Sequence, residues 1–238
     1  MDKNPKQIAW YSSYEENNYG ELFYSLIRIY QPEKVVELGT LAGYSAYHIA
    51  RALRANGHGT LDCYDLWGEY IENNGRDYLS IGAAKKNLEQ FDDIVKLELR
   101  NAIGANQKYQ KVDILHIDLD NDATILEKIV PNWLEKVRQL IIIEGGSRQR
   151  DEQASKTNFK KLTVTKWLSD LENKKGNSLK NIVNIQPNRQ EQYVIVHGKE
   201  QYKEKPIADW LENFSNRRDD FDYFTFEPFP SLTIIKKK

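Results

Sequence analysis

The sequence predicts an α/β protein built on a doubly wound, mostly parallel sheet. Short segments with strand character recur along the chain, separated by helix-length stretches: Lys34–Leu38, Thr60–Asp65, Val95–Leu99, Val112–Ile117 and Gln139–Ile143. The last of them contains Ile141-Ile142-Ile143, an unbroken apolar run typical of a strand covered on both faces. The first runs directly into a glycine turn and then a helix, Val35-Val36-Glu37-Leu38-Gly39-Thr40-Leu41-Ala42-Gly43-Tyr44-Ser45.

The elements follow in order. Ile8 to Tyr19 is polar and aromatic and reads as a surface helix or lid. Glu21 to Tyr30 is a helix with Leu22, Leu26 and Ile29 apolar, stopped before Pro32. After the first strand, Ala46 to Ala55 is a helix with Ala46, Ile49, Ala50 and Leu53 on one face. Gly57-His58-Gly59 turns the chain into the second strand, and Asp77 to Gln90 is the next helix. Thr124 to Val137 reads as a helix interrupted near Pro131. Gln149 to Lys161 reads as a loop, Val164 to Leu171 as a helix, and Tyr193 to His197 as a short strand. Pro206 to Phe214 is a helix with Trp210, Leu211 and Phe214 on its buried side. Phe221–Phe226 and Ser231–Lys236 form a closing antiparallel pair.

Composition narrows the class. The chain has 238 residues, 40% of them hydrophobic, enough for one α/β domain with a full core. A net charge of −1 offers no global field for nucleic acid or an acidic membrane. A single cysteine, Cys63, excludes an intramolecular disulfide and a cysteine-built zinc site. No apolar run reaches the roughly 20 residues that span a bilayer. The start Met1-Asp2-Lys3-Asn4-Pro5 lacks a secretory signal, so a cytoplasmic location is expected.

The glycine turn selects the ligand. A strand, a tight turn and an opening helix aim backbone N–H groups at whatever binds there. The dinucleotide fingerprint G-x-G-x-x-G seats a pyrophosphate, but here two glycines follow an acid, Glu37. An acid repels phosphate and suits an ammonium or sulfonium, which disfavours a nicotinamide-dependent oxidoreductase. Glu37-Leu38-Gly39 followed by Gly43-Tyr44-Ser45 resembles motif I of class I S-adenosylmethionine (SAM) methyltransferases. It is most similar to the small-molecule O-methyltransferases related to catechol O-methyltransferase and to bacterial families near them. The resemblance covers about residues 19–145 and implies a Rossmann-like sheet with a closing hairpin.

It also implies roles for strand-end residues. Glu37, Gly39, Gly43 and Ser45 would shape the SAM site. Asp65, ending the second strand, would accept hydrogen bonds from both ribose hydroxyls, with Trp67 stacking on adenine. Asn101 stands where the family carries an acid for the adenine amine. Asp118 matches the acid after the fourth strand, which contacts cofactor, metal or both. Glu144 matches an acid after the fifth strand. Metal-dependent relatives add Asn or Asp next, but Gly145 has no side chain, so Asp118 and Glu144 leave magnesium as an open alternative, with Asp120 a further oxygen source. The family's histidine or lysine base is replaced at Asn121. Asp118, Glu144 and His116 are therefore the catalytic candidates, although a histidine inside a strand is more often a core residue. Arg148 and Arg150 suit a carboxylate or phosphate on the substrate, against the alternative of a solvated loop. His48 and His197 read as structural.

The expectation is one methyltransferase domain over 1–238. It divides into N-terminal helices or lid (1–33), a cofactor-binding core (34–145), a substrate-recognition insertion (146–205) and a closing helix and hairpin (206–238). The reaction expected is methyl transfer from SAM to an oxygen or nitrogen of a small-molecule acceptor. No nucleic-acid or membrane partner is expected, and a homodimer is left open. A peptide or protein methyltransferase, or a SAM-binding protein without transferase activity, are the alternatives.

Overall fold

The computed structural model describes residues 10, 12–67, 80–119, 122–151 and 205–238. The strands are β1 (Lys34–Leu38), β2 (Thr60–Asp65), β3 (Val95–Leu99), β4 (Val112–Ile117), β5 (Val137–Glu144), β6 (Phe221–Phe226) and β7 (Leu232–Lys237). The helices are α1 (Tyr19–Tyr30), α2 (Tyr44–Asn56), α3 (Ile81–Leu88), α4 (Ala123–Trp133) and α5 (Ile207–Arg217). The strands form one sheet in the order β3-β2-β1-β4-β5-β7-β6. The first five are parallel, and β7 runs antiparallel to both β5 and β6. The order reverses between β1 and β4, which opens a crevice at the carboxyl ends of those strands.

Alternation along each strand sorts side chains to two faces. Val36, Leu38, Leu115, Ile117, Ile141 and Ile143 pack with α4 and α5. Val35, Leu61, Cys63, Ile114, Leu140 and Ile142 pack with α1 and α2. Cys63 is a buried thiol, as expected. By the same parity Glu37 and His116 fall on the α1–α2 face, side by side in the β1–β4 register. A carboxylate and an imidazole thus sit in an apolar layer, where only hydrogen-bonded partners make them tolerable.

The predicted parallel strands agree with the structure, and the differences are local. The helix predicted from Thr124 to Val137 is uninterrupted at Pro131 and ends at Trp133. Ile129, Val130 and Trp133 bury against the sheet and hold the last turn despite the missing N–H. The chain turns after Trp133, and Val137 pairs with Val112 at the start of β5. The loop expected from Gln149 begins inside a helical turn at 148–151. The largest correction lies at the N-terminus, where the described part of the segment expected as a surface helix or lid holds a short 3-10 turn, Ser13–Glu15, closed by a capping box between Ser12 and Glu15. Its Tyr14 is buried against Phe23 and His116, not displayed to solvent. Asp120, Asn121, His197, the expected helix Val164–Leu171, the expected strand Tyr193–His197 and most of the 146–205 segment lie outside the described residues.

Candidate functional site

The turn after β1 is built by close approach. Gly39 has φ +91°, and a Cβ there would lie 1.7 Å from the Asp118 carbonyl oxygen. Only glycine allows the β1 and β4 exits to touch at this point. Two backbone bonds fix the contact: Gly39 N–H donates to Tyr64 O and Asp118 N–H to Leu38 O, both at 2.8 Å. Gly43, also at φ +91°, precedes α2 directly.

Glu37 is fully buried and holds this turn from beneath. Its carboxylate accepts from Thr40 Oγ1 at 2.9 Å, Ser45 Oγ at 2.6 Å and His116 Nδ1 at 2.9 Å. The acid expected to face the cofactor is therefore occupied by the turn itself. Asp65 behaves similarly. Its Oδ2 accepts from Thr40 and Leu41 N–H, both at 2.8 Å, and its Oδ1 from Trp67 N–H at 2.7 Å. Of about four acceptor positions on a carboxylate, one on Oδ1 is left over by these three donors. Trp67 is buried, and its indole N–H donates to Leu41 O at 2.7 Å, which lays the ring across the turn. Asn101 Oδ1 accepts from Ile103 N–H at 2.8 Å, the local turn-forming bond of asparagine.

The other half of the crevice is crowded with charge. Asp118 and Glu144 follow the paired Ile117 and Ile143 at the ends of neighbouring strands. The Asp118 pKa is raised well above the usual carboxylate value, by burial first, then by the Glu144 carboxylate and a hydrogen bond to it, and then by Glu37. Tyr14 covers both carboxyls. Its phenol is held well above its ordinary pKa, by burial and then by Asp118, Glu144 and Glu37. Tyr14 Oη lies 3.3 Å from His116 Nε2, while His116 Nδ1 meets Glu37. A hydrogen-bonded line thus runs from the motif I turn through Glu37 and His116 to Tyr14, whose phenol feels the charge of Asp118.

His116, expected among the catalytic candidates, has 0% exposure and ends on Tyr14. It does not face the crevice, because strand parity turns it into the α1–α2 layer. Tyr14 is the site residue that the sequence reading missed. The Ser12-Ser13-Tyr14-Glu15 capping box was the available signal, since it marks an ordered turn where a polar lid was expected.

The two arginines separate. Arg148, expected to bind substrate, has 62% side-chain exposure and pairs with Asp209 at 3.0 Å and Glu212 at 2.5 Å on α5. The helical turn at 148–151 points it outward. Arg150, two residues on, is buried and lies 3.6 Å from Glu144 Oε1 through Nη2. Ser13 Oγ donates to the same Glu144 oxygen at 3.3 Å.

The magnesium expectation finds two of its acids among the described residues, and one of them is already paired with a guanidinium. Among the described residues no third histidine, cysteine or acid joins Asp118 and Glu144. A guanidinium already pairs with Glu144, and Gly145 supplies no oxygen from a side chain. A separate cleft of about 410 Å³, lined by Lys34, Tyr109, Lys111, Asp113 and Arg138 among others, opens at the amino ends of the strands, away from this chemistry.

Residues 36–143 match the family model of a methyltransferase domain. No curated protein matches the sequence. Among solved structures, an O-methyltransferase from Bacillus cereus in complex with SAH (S-adenosylhomocysteine) is 15% identical, with a TM-score of 0.56 over 98% of this chain and 84% of that one. The O-methyltransferase TomG of tomaymycin synthesis from Streptomyces achromogenes, in complex with SAM, is 15% identical, with a TM-score of 0.54 over 93% and 80%. The SAH-bound methyltransferase PaMTH1 from Podospora anserina is 16% identical, with a TM-score of 0.52 over 92% and 77%.

Proposed function

We propose that this chain is a class I SAM-dependent methyltransferase, a reading supported by its fold and by the family match over residues 36–143, and that it methylates an oxygen or nitrogen of a small-molecule acceptor at the Asp118–Glu144 pair. The carrying observation is the contact of Gly39 with the Asp118 carbonyl. It makes the cofactor turn and the acid pair two walls of one crevice.

Bound SAM supplies a methyl carbon already activated by its sulfonium. The protein's task is alignment and proton management. Asp65 would accept a ribose hydroxyl through its remaining Oδ1 position, and Asn101 would meet the adenine edge. Gly39, Gly43 and Ser45 shape the turn that receives the methionine end. The raised pKa of Asp118 keeps a proton on that member of the pair. Glu144, beside the Arg150 guanidinium at 3.6 Å, would take the acceptor's O–H or N–H proton. The freed lone pair bonds to the methyl carbon as the carbon–sulfur bond breaks, and its electrons stay on sulfur. Tyr14 and His116 act as positioning residues, because they tie the acid pair to the turn. A small acceptor is favoured because Tyr14 and the N-terminal turn cover the acids.

The test is calorimetric titration of the whole chain with SAM and with SAH, on wild type and Asp65→Ala. The expected result is micromolar binding, weakened about 10-fold or more in the variant, equivalent to roughly 1.4 kcal/mol or more. Transfer of a labelled methyl from SAM is then screened over phenols, catechols and amines. Absence of SAM and SAH binding by wild type would overturn the reading.

A further inference from the structure

Arg150 is one of four described residues with a buried polar atom that lacks a hydrogen-bond partner, and the one beside the acid pair. Its residue exposure is 7%, yet Nη1 has no hydrogen-bond partner among the described residues. A guanidinium cannot shed its charge, and a buried donor left unpaired is unfavourable. The group is nevertheless held in place from several sides. Arg150 N–H donates to Ser147 Oγ at 3.3 Å, and Ser147 N–H to Ser231 Oγ at 3.4 Å at the entry to β7. The next residue, Asp151, accepts from Ala208 N–H at 3.0 Å at the start of α5. The arginine is thus seated on the sheet edge and on α5, not carried on a free loop.

Its position is informative. Nη2 lies 3.6 Å from Glu144 Oε1. Nη1 lies over Gly145, where a Cβ would approach it to 3.0 Å. Gly145 has φ +97°, and its Cβ would also meet Ile207 Cδ1 at 2.8 Å. A side chain at 145, where metal-dependent relatives of the resembled family carry an oxygen ligand, would be strained by the positive φ and would have to displace the ends of Arg150 and Ile207. A cation already stands beside Glu144.

The geometry points to Arg150 as the fixed cation of the acceptor site, with Nη1 donating to the acceptor's oxygen where a divalent ion would otherwise bridge that oxygen and Glu144. The inference rests on the methyltransferase reading and narrows it: the acceptor atom is an oxygen, and the site needs no divalent metal. While the acceptor's proton passes to Glu144, the oxygen becomes electron-rich, and a charge-assisted hydrogen bond from Nη1 strengthens at that moment. The order of bond making and breaking is unchanged.

The experiment uses Mn2+ alone as the probe, measured by loss of the free-ion EPR signal on the full-length chain. Wild type should bind no Mn2+ that Glu144→Gln abolishes. Arg150→Ala, which bares the acid pair, should gain a site at least tenfold tighter than wild type, and adding Glu144→Gln should remove it. If Arg150→Ala does not fold, as judged by its melting curve, Arg150→Met takes its place. One equivalent of Mn2+ bound by wild type and lost in Glu144→Gln would overturn the inference. So would equal Mn2+ affinity in wild type and the arginine variant. SAM calorimetry on the same proteins separates the two layers. Unchanged SAM affinity in the arginine variant is expected, and a tenfold loss would assign Nη1 to the cofactor's carboxylate and overturn it. Failure of wild type itself to bind SAM would instead sink the methyltransferase reading while leaving the Mn2+ result to stand on its own.

Discussion

The cofactor side of the crevice and its acceptor side place charged groups in opposite ways. On the cofactor side Glu37 is fully buried and accepts from Thr40, Ser45 and His116, while Asp65 accepts from three backbone N–H groups. These charges are compensated locally and determine shape. On the proposed acceptor side Asp118 is driven toward its neutral form by burial and by its acidic neighbours, and Arg150 Nη1 has no hydrogen-bond partner among the described residues. The Asp118–Glu144–Arg150 group lies at one end of two adjacent strands, and such conflict is a marker of candidate chemistry; His48 beside Arg51 on α2 is a second strained place, away from the strand ends. On the proposed function, the compensated side is scaffold and the conflicted side the reactive site.

Removing Glu37 should break that comparison most severely if it is false. Glu37→Ala strands two hydroxyl donors and the His116 N–H in an apolar layer, with an expected loss of about 3–5 kcal/mol in urea unfolding. A loss below about 1 kcal/mol would mean that the turn does not depend on the carboxylate. Asp118→Asn should move stability the other way at neutral pH. The folded pKa of Asp118 lies above its unfolded value, so the folded state holds the extra proton. Its contribution is present below the unfolded carboxylate range and is lost as pH rises toward the folded pKa. An asparagine cannot ionise, so the variant's stability should fall less over that window, as measured by unfolding at a series of pH values. Methyl transfer should drop with it. A wild-type profile as flat as the variant's would remove Asp118 from the conflicted group. Tyr14→Phe should cost less, about 1–2 kcal/mol, because it deletes one buried hydroxyl between His116 and Asp118. Its signature is a lower kcat with little change in SAM affinity; a SAM affinity loss as large as that of Asp65→Ala would place Tyr14 on the cofactor side.

The fold was legible because the strands declare themselves locally: apolar runs, a glycine turn and strand-end acids recur with regular spacing. Strand parity even sends Glu37 and His116 to the same face. Their pairing was not legible, since it depends on the β1–β4 register and not on either segment alone. Nor was Tyr14, which lies 102 residues from His116 in sequence. The helix over Pro131 ran longer in the sequence reading because periodicity cannot show where packing stops. The partners of Asp65 and Trp67 were hidden for a related reason. A strand-end acid and a following tryptophan look ready for a ligand, yet both close on the turn beside them.

The arginines give the smallest and most discriminating test. Arg148 and Arg150 stand two residues apart, and in sequence nothing separates them. One turn of helix at 148–151 does so in space. Arg148 reaches Asp209 and Glu212 with all three side chains more than half exposed. Water screens such pairs, so Arg148→Ala should cost only about 0.2–1 kcal/mol, and less in high salt. SAM affinity and methyl transfer should be unchanged, because the side chain points away from the crevice. Arg150, with the same chemistry but buried against Glu144, should be indispensable to transfer. Equal losses of transfer in the two variants would mean that their shared loop matters and not the buried guanidinium. The boundary between scaffold and reactive side would then have to be drawn beyond residue 151.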